Sequence, residues 1–229
     1  MKILKIRKII FAFFLLICAV SASFAQERKL LPVDEGKRDA SFSTFREKTL
    51  EAAKRRDVKY ILSIVDANIK NTFGDSNGIE EFKKMWEINS PQSDFWDEFI
   101  TVLEHGGAFF KRKGAPKNQI FHAPYTFSHF PEDLDAFEHQ AIFGSNVNLR
   151  SKPDASAPIV AGLSYNIVKV DYENSVKGKD DEYLWLKVET LGGKKGFVNA
   201  KYVRGAIHYR AIFEKRNGKW KLVIFVAGD

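Results

Sequence analysis

Four acidic side chains lie close together near the middle of the chain and are its best candidates for acid–base chemistry. They are Asp94, Asp97, Glu98 and Glu104, in a stretch whose apolar spacing predicts a helix. Asp94 and Glu98 are four residues apart and therefore share a helix face. A carboxylate pair with a raised pKa can transfer protons during hydrolysis. Acidic residues in the first turn of a helix also stabilise it by opposing its dipole, which is their commoner role.

Other catalytic signatures are missing from the sequence. It contains no GxSxG nucleophile motif, no phosphate-binding loop and no dinucleotide fingerprint. Its one cysteine, Cys18, lies in an apolar N-terminal run. We therefore predict that the protein is not an enzyme and has no catalytic residues. A hydrolase that uses the carboxylates of Asp94 and Glu98 is kept as an alternative.

Histidines are the remaining candidates for metal ligands. Four of the five fall between positions 105 and 139, namely His105, His122, His129 and His139. Their spacing matches no compact zinc-binding motif, and the sequence contains no HExxH. We therefore predict neither a metal site nor a cofactor.

The first 25 residues have the pattern of a secretion signal. An apolar run over residues 9–20 follows four cations, which are Lys2, Lys5, Arg7 and Lys8. The run is shorter than the roughly 20 apolar residues that cross a bilayer. We predict that residues 1–25 form a signal peptide cut after Ala25, with Ala22 as the second choice and an uncleaved anchor as the alternative. The mature protein is then periplasmic or secreted, without cysteine and without stable membrane insertion.

The net charge argues against a nucleic-acid partner. The full chain carries +7, and its predicted signal peptide holds four cations and no acidic residue, so the mature charge is 7 − 4 = +3. That value is ordinary for a solvated surface and is no nucleic-acid footprint. The one dense basic cluster, at residues 111–117, is interpreted as a solvated loop.

The sequence between the signal and position 143 predicts a polar tail followed by a mainly helical domain. Residues 26–40 show no pattern and are interpreted as a flexible tail. The domain is predicted at residues 41–143, with helices that begin near Ser43, Asp57, Asn77 and Ser93 and a short strand over residues 68–73. Residues 108–144 are rich in aromatics and prolines and are predicted to form extended segments that pack on the helices.

Short alternating apolar runs separated by turn residues follow position 144 and predict a small β-barrel. The order of these runs resembles the bacterial SH3 (SH3b) domain over residues 144–205. The matching segments are VNLRSKP at 147–153, VAGL at 160–163, VKV at 168–170, WLKV at 185–188, GFV at 196–198 and YV at 202–203. Two positions depart from the pattern of the family: Asn166 lies closest to a position where glycine is usual, and Phe197 stands where tryptophan is commoner. The resemblance implies a binding module for a cell-wall peptide or a protein partner.

Three aromatic residues of this region are predicted to bind the ligand. Within residues 184–188, strand alternation places Leu184, Leu186 and Val188 on one face and Trp185 on the other. If the leucines are core, Trp185 lies at the surface and, with Tyr183 and Tyr202, forms a contact platform. The alternative is that Trp185 closes a second small core.

The last 24 residues predict a β-hairpin at positions 206–229, with its turn at Asn217-Gly218. Its return strand becomes apolar on both faces, and a lone hairpin is unstable in water. We therefore predict that it packs on the N-terminal domain, so that the barrel is inserted into that domain. The overall prediction is an α+β protein.

A fainter resemblance concerns the N-terminal domain. The segments Arg56-Asp57, Phe73-Gly74 and Gly78-Ile79-Glu80, with the closing NGKWK hairpin, are similar to those of NTF2-like domains. This resemblance implies a pocket for a small apolar molecule, with Phe121, Tyr125 and Phe127 as its lining. The first choice remains an exported, non-enzymatic binding module whose SH3b unit contacts cell-wall peptide or an envelope protein.

Overall fold

The computed structural model describes residues 26–111, 113–114, 119–179 and 181–228. The predicted signal peptide and Cys18 lie outside the described residues. Within these ranges, none of the helices has both the length and the apolar character needed to cross a membrane.

The N-terminal helices are set by local caps. Their bounds are α1 Ala40–Lys54, α2 Val58–Ile64, α3 Ile79–Met85 and α4 Phe95–Glu104, with a single turn α5 at Tyr125–Ser128. Helix α1 begins before the predicted Ser43 because the side chain of Asp39 accepts a hydrogen bond from the Phe42 N–H. The predicted cap Asp57 does the same for α2. Asn77 does not cap α3 but accepts hydrogen bonds from the backbone of the preceding strand end.

A five-stranded sheet lies against these helices. Its strands are β1 Val65–Lys70, β2 Ala108–Phe109, β3 Ile120–Ala123, β11 Arg210–Arg216 and β12 Lys219–Val226, in the order β1-β12-β11-β3-β2. The C-terminal hairpin thus supplies two inner strands of the N-terminal sheet, parallel to β1 and antiparallel to β3. Its turn has positive φ at Asn217 and Gly218, as the sequence predicts. The barrel is therefore inserted between two parts of one α+β domain.

Aromatic side chains fill the space between the helices and this sheet. The Phe42 ring lies 4.1 Å from Phe121 and 4.9 Å from Trp220, centroid to centroid. Phe99 and Phe213 are fully buried beside them. Large rings from distant segments of the chain thus meet at one place and give the domain a single core.

The inserted unit is a curled sheet of seven strands. They are β4 His139–Ile142, β5 Val147–Arg150, β6 Ile159–Leu163, β7 Ile167–Lys177, β8 Tyr183–Thr190, β9 Lys195–Asn199 and β10 Val203–Arg204, in the order β10-β4-β7-β8-β9-β5-β6. Strand β4, which the sequence assigned to the N-terminal domain, pairs with β7 and β10. Its Ile142 is fully buried in the barrel core, which explains why it joins this sheet.

The barrel core differs from the prediction at one position. Leu186 and Val188 are buried as predicted, but Leu184 is 52% exposed. The pairing of β7 with β8 shifts register between Asp171 and Lys177, opposite the start of β8. Strict alternation does not hold across such an irregularity. Near the position where the family usually has a glycine, the residue with positive φ is Tyr165, which precedes Asn166.

The prediction of a flexible tail over residues 26–40 is wrong for residues 26–38, which are bound to the rest of the chain. The Ile167 N–H donates to the Arg28 carbonyl and the Leu30 N–H to the Tyr165 carbonyl, so the segment pairs with the start of β7. Leu30 is buried against Tyr125 and Ile167. The short Gly36–Arg38 turn then leads into α1. The order of this segment could not be predicted from its polar composition, because the groups that hold it lie far along the chain: Asp133 pairs with Arg28, and Asn166 and Thr190 donate to Glu27.

Candidate functional site

An open groove of about 310 Å³ lies on the outer surface of the barrel. Strands β5, β8 and β9 and the short turn Ala200–Tyr202 form its walls. Its lining combines two large aromatic side chains with amides, hydroxyls and cations. The lining residues are Ser145, Asn146, Val147, Asn148, Arg150, Ala155, Trp185, Asn199, Lys201 and Tyr202.

Strand alternation explains why these side chains face outwards. In β5, Val147 and Leu149 are buried, so Asn148 and Arg150 project from the opposite face. In β8, Leu186 is buried and Trp185 is half-buried on the outer side. The core residues of the barrel therefore dictate which side chains form the groove.

A local cap sets the position of Tyr202. Asn199 is the partner of Trp185 across the β8–β9 pair. The Asn199 side chain accepts a hydrogen bond from the Lys201 N–H, 3.3 Å away, and begins the turn Ala200–Tyr202. This turn brings the 39% exposed Tyr202 to the groove that Trp185 also lines.

The groove carries positive charge without a lining carboxylate. Arg150 Nη1 donates to the Ala157 carbonyl at 2.7 Å, which holds the guanidinium in place. Lys201 is exposed, with its Nζ 4.9 Å from the centre of the Tyr202 ring. The nearby Asp154 hydrogen-bonds to Ser156, which lowers the pKa of Asp154, and the charge of Arg150 lowers it further. The cationic side of this groove can attract an anion.

The structure brings together two of the three residues predicted to bind a ligand. Trp185 and Tyr202 line the same groove. Tyr183 lies apart, with its ring 5.5 Å from Tyr172 and 5.0 Å from the Lys177 ammonium, and it packs against the barrel core. Tyr183 therefore does not belong to the lining of this groove.

Sequence reasoning missed the polar lining. Asn148 and Arg150 stand at alternate positions of the VNLR motif, between the core residues Val147 and Leu149. The same alternation used for Trp185 could have placed them at the surface. Asn199 and Lys201 had no comparable pattern, because the turn that contains them is set by a single side-chain cap.

The carboxylates considered for acid–base chemistry lie elsewhere, at an open depression that the N-terminal domain forms together with Glu182 of the barrel. Asp94, Asp97 and Glu98 line it together with Trp86 and Tyr209. Glu98 accepts a charged hydrogen bond from Arg204 of strand β10. This contact joins the N-terminal domain to the barrel and occupies the carboxylate, so the geometry favours a structural role for Glu98.

The candidate histidines are distributed over separate environments. His105 stacks on Phe143 at 3.8 Å, and its Nδ1 donates to the Thr101 carbonyl. His122 stacks between Phe110 and Phe127. In the part of the chain that the structure describes, no three histidine, cysteine or acidic side chains are grouped as metal ligands would be.

Acid is expected to destabilise the fold through two histidines. Burial lowers the pKa of His122 to about 4, and burial with the nearby charge of Arg204 lowers the pKa of His208 to about 4. The unfolded chain takes up these protons near pH 6.5, whereas the folded chain resists them down to about pH 4. The histidines' contribution to stability is thus complete above pH 6.5 and lost as the pH falls towards 4. For each of the two histidines, acidification from pH 7 to pH 5 is expected to lower the free energy of unfolding by roughly 1–2 kcal/mol.

Urea unfolding at pH 7 and pH 5 measures this loss. His122→Phe keeps an aromatic ring between Phe110 and Phe127 but cannot bind a proton, so its stability should fall less on acidification. The exposed His129 provides the control, because His129→Gln should show the same acid sensitivity as the unchanged protein. An equal loss in the His122→Phe variant and in the unchanged protein would contradict the assignment.

The side chains predicted to line an apolar pocket do not share one. Phe121 is fully buried in the core beneath the helices. Tyr125 is buried between the N-terminal segment and β7, in a different cluster. Phe127 stacks on His122 and lies 5.0 Å from the Arg210 guanidinium. These three rings point into three different surroundings.

The seven-stranded barrel and its groove define an α+β protein that carries an inserted SH3-type barrel. Residues 145–204 match the family model of the bacterial SH3 domain. This finding confirms the resemblance predicted for that part of the chain and leaves β4 and the N-terminal domain outside the match. It gives no support to the NTF2-like resemblance. No curated protein and no solved structure shows a significant match to the chain.

Proposed function

We propose that the protein is a non-enzymatic binding module that acts outside the cytoplasm and contacts cell-wall peptide through its SH3 barrel. The observation that carries the proposal is the groove in which Trp185 and Tyr202 stand beside amide and cationic side chains. Aromatic rings with a few well-placed polar groups are typical of sites that bind small ligands. The bacterial SH3 match supports a binding role for this unit.

The size of the groove favours a short peptide over a folded protein partner. Its volume of about 310 Å³ lies at the lower end of the roughly 300–1,000 Å³ that ligand sites occupy. A stable protein–protein contact buries about 800 Å² on each partner, which needs a much broader surface. A protein partner of the envelope remains the second candidate, supported by the same exposed aromatics.

Export is part of the proposal and rests on the N-terminal pattern of cations followed by an apolar run. N-terminal sequencing of the protein recovered from the cell envelope or medium tests it. The expected first residue is Gln26. An uncut chain recovered from the cytoplasm would oppose an exported role.

Trp185→Ala is expected to weaken binding to purified peptidoglycan. The indole is the largest side chain of the groove, and loss of such an anchor typically costs about 2 kcal/mol, or roughly thirtyfold in affinity. Co-sedimentation of the full mature chain with purified peptidoglycan measures the effect. Thermal unfolding of the variant verifies that the barrel stays folded.

Leu184→Ala is the matched control for this experiment. Leu184 precedes Trp185 in the same strand, is 52% exposed and does not line the groove. It should leave co-sedimentation unchanged. If the unchanged protein does not co-sediment with peptidoglycan, or if both variants bind as the unchanged protein does, the proposed site is wrong.

A further inference from the structure

The charges of the groove point to the chemical group that it recognises. Its lining contains the two cations Arg150 and Lys201 and no acidic side chain. Resting on the proposed function above, we propose that the groove selects short cell-wall peptides by a free carboxylate, which Arg150 and Lys201 bind while Trp185 packs against the apolar part of the peptide. A ligand that lacks the carboxylate is then a poor one.

Both cations have N–H donors that can bind a ligand. In the part of the chain that the structure describes, no salt bridge involves Lys201, and its ammonium lies over the Tyr202 ring at 4.9 Å. Arg150 uses Nη1 for the Ala157 carbonyl, which leaves its other nitrogens for a ligand. Asp154 offsets part of the charge of Arg150, but its own oxygen accepts hydrogen bonds from Ser156. A guanidinium positioned in this way suits carboxylate recognition.

A second depression on the barrel shows the contrast. It lies over β7 and β8 and is also lined by lysines, but each of these lysines is paired with a carboxylate. The pairs are Lys169–Glu138, Lys187–Asp171 and Lys195–Glu189. Each cation on this face is therefore neutralised by a carboxylate of the same chain. In the Trp185 groove, by contrast, no lining carboxylate competes with an external anion for Lys201.

The amides of the groove fit the remainder of a peptide. Asn146 and Asn148 are exposed along the edge formed by β5 and the loop before it. Side-chain amides both donate and accept hydrogen bonds, as a peptide backbone requires. The groove therefore offers an aromatic surface, amide partners and positive charge within a volume suited to a short ligand.

The test compares one ligand pool in two charge states. Soluble peptides released from purified peptidoglycan are used either with free carboxylates or after amidation with methylamine, and binding to the mature chain is followed by tryptophan fluorescence and calorimetry. The free pool is expected to bind at least roughly tenfold more tightly, as for the loss of one charge-assisted hydrogen bond. Added salt should weaken binding of the free-carboxylate pool and leave binding of the amidated pool nearly unchanged.

Lys201→Gln should remove most of the preference for the free pool without altering the fold, because Lys201 is exposed. Lys219→Gln is the control, since this exposed lysine lies in the C-terminal hairpin, and it should keep the full preference. Arg150→Gln should also reduce the preference for the free-carboxylate pool. Thermal unfolding checks that loss of the hydrogen bond from Arg150 to the Ala157 carbonyl leaves the barrel intact.

Two synthetic tripeptides, Ala-Glu-Ala and the carboxylate-free Ala-Gln-Ala amide, distinguish failure of carboxylate selection from failure of the cell-wall role. Equal binding of free and amidated pools overturns carboxylate selection and leaves cell-wall binding standing. Binding of Ala-Glu-Ala in preference to its carboxylate-free counterpart, with no binding of either wall-derived pool, supports carboxylate selection and overturns the cell-wall role. If neither the wall-derived pools nor the tripeptides show a preference for the form with free carboxylates, the inference is overturned.

Discussion

Phe213→Ala is expected to lower the free energy of unfolding by about 3–5 kcal/mol, the range for truncating a buried phenylalanine. Phe213 is fully buried in β11, a strand that lies in the interior of the five-stranded sheet. Its ring packs within 6 Å of both Phe42 and Phe45. The substitution leaves a cavity where the C-terminal hairpin meets α1. Urea unfolding followed by circular dichroism measures the loss.

The control for this result is Phe137→Ala. It makes the same chemical change at a ring that is 56% exposed, and it should cost less than about 1 kcal/mol. Because the barrel core is separate from Phe213, the peptide binding proposed for the Trp185 groove should survive under conditions in which the variant remains folded. A cost for Phe213→Ala no larger than that of the control would mean that the hairpin does not complete the N-terminal core.

Glu98→Ala is expected to destabilise the protein by about 2–3 kcal/mol. It removes the partner of Arg204, whose side chain is 9% exposed, and leaves a buried guanidinium short of its counter-charge. The expected cost lies below the roughly 3–5 kcal/mol of a fully buried pair because Glu98 itself is 28% exposed. The Tyr209 carbonyl, which also accepts from Arg204, satisfies part of the remaining demand. Chemical denaturation at pH 7 gives the value.

A double-mutant cycle identifies the source of this cost. Adding Arg204→Met to Glu98→Ala removes the unpaired charge and should recover part of the lost stability. Asp94→Ala serves as the control, since Asp94 is exposed and its side chain makes no capping hydrogen bond. If Asp94→Ala costs as much as Glu98→Ala, the Arg204 contact is not the cause. Loss of a hydrolytic activity in both variants, with stability retained, would instead favour the hydrolase alternative.

The strands of the barrel that follow β4 were predictable because they depend on local information. Alternation of apolar and polar residues, and turn residues such as Lys152-Pro153-Asp154, can be recognised from neighbouring positions alone. The same holds for the hairpin, whose Asn217-Gly218 turn requires positive φ. Even its return to the N-terminal domain followed from a strand apolar on both faces, since such a strand must be covered on both sides.

Predictions failed where a residue depends on distant partners. Leu184 continued an alternating run, but the irregular pairing of β7 with β8 left it exposed. The segment 26–38 had no pattern, but β7 and Tyr125 gave its backbone and Leu30 a place to bind. Glu98 stood out as a potential catalyst until Arg204, more than a hundred residues later, proved to be its partner.

Local patterns were enough to predict the SH3-type barrel and the closing hairpin, because each follows from the order of side chains along one strand or turn. For Trp185 they left two alternatives, a surface platform and a second small core. The folded chain was needed to see that Tyr202 shares a groove with Trp185 while Tyr183 does not, and that Arg150 and Lys201 make this groove cationic. A binding site joins side chains from separate strands. Their proximity depends on strand order and register, which are settled by packing of the whole chain.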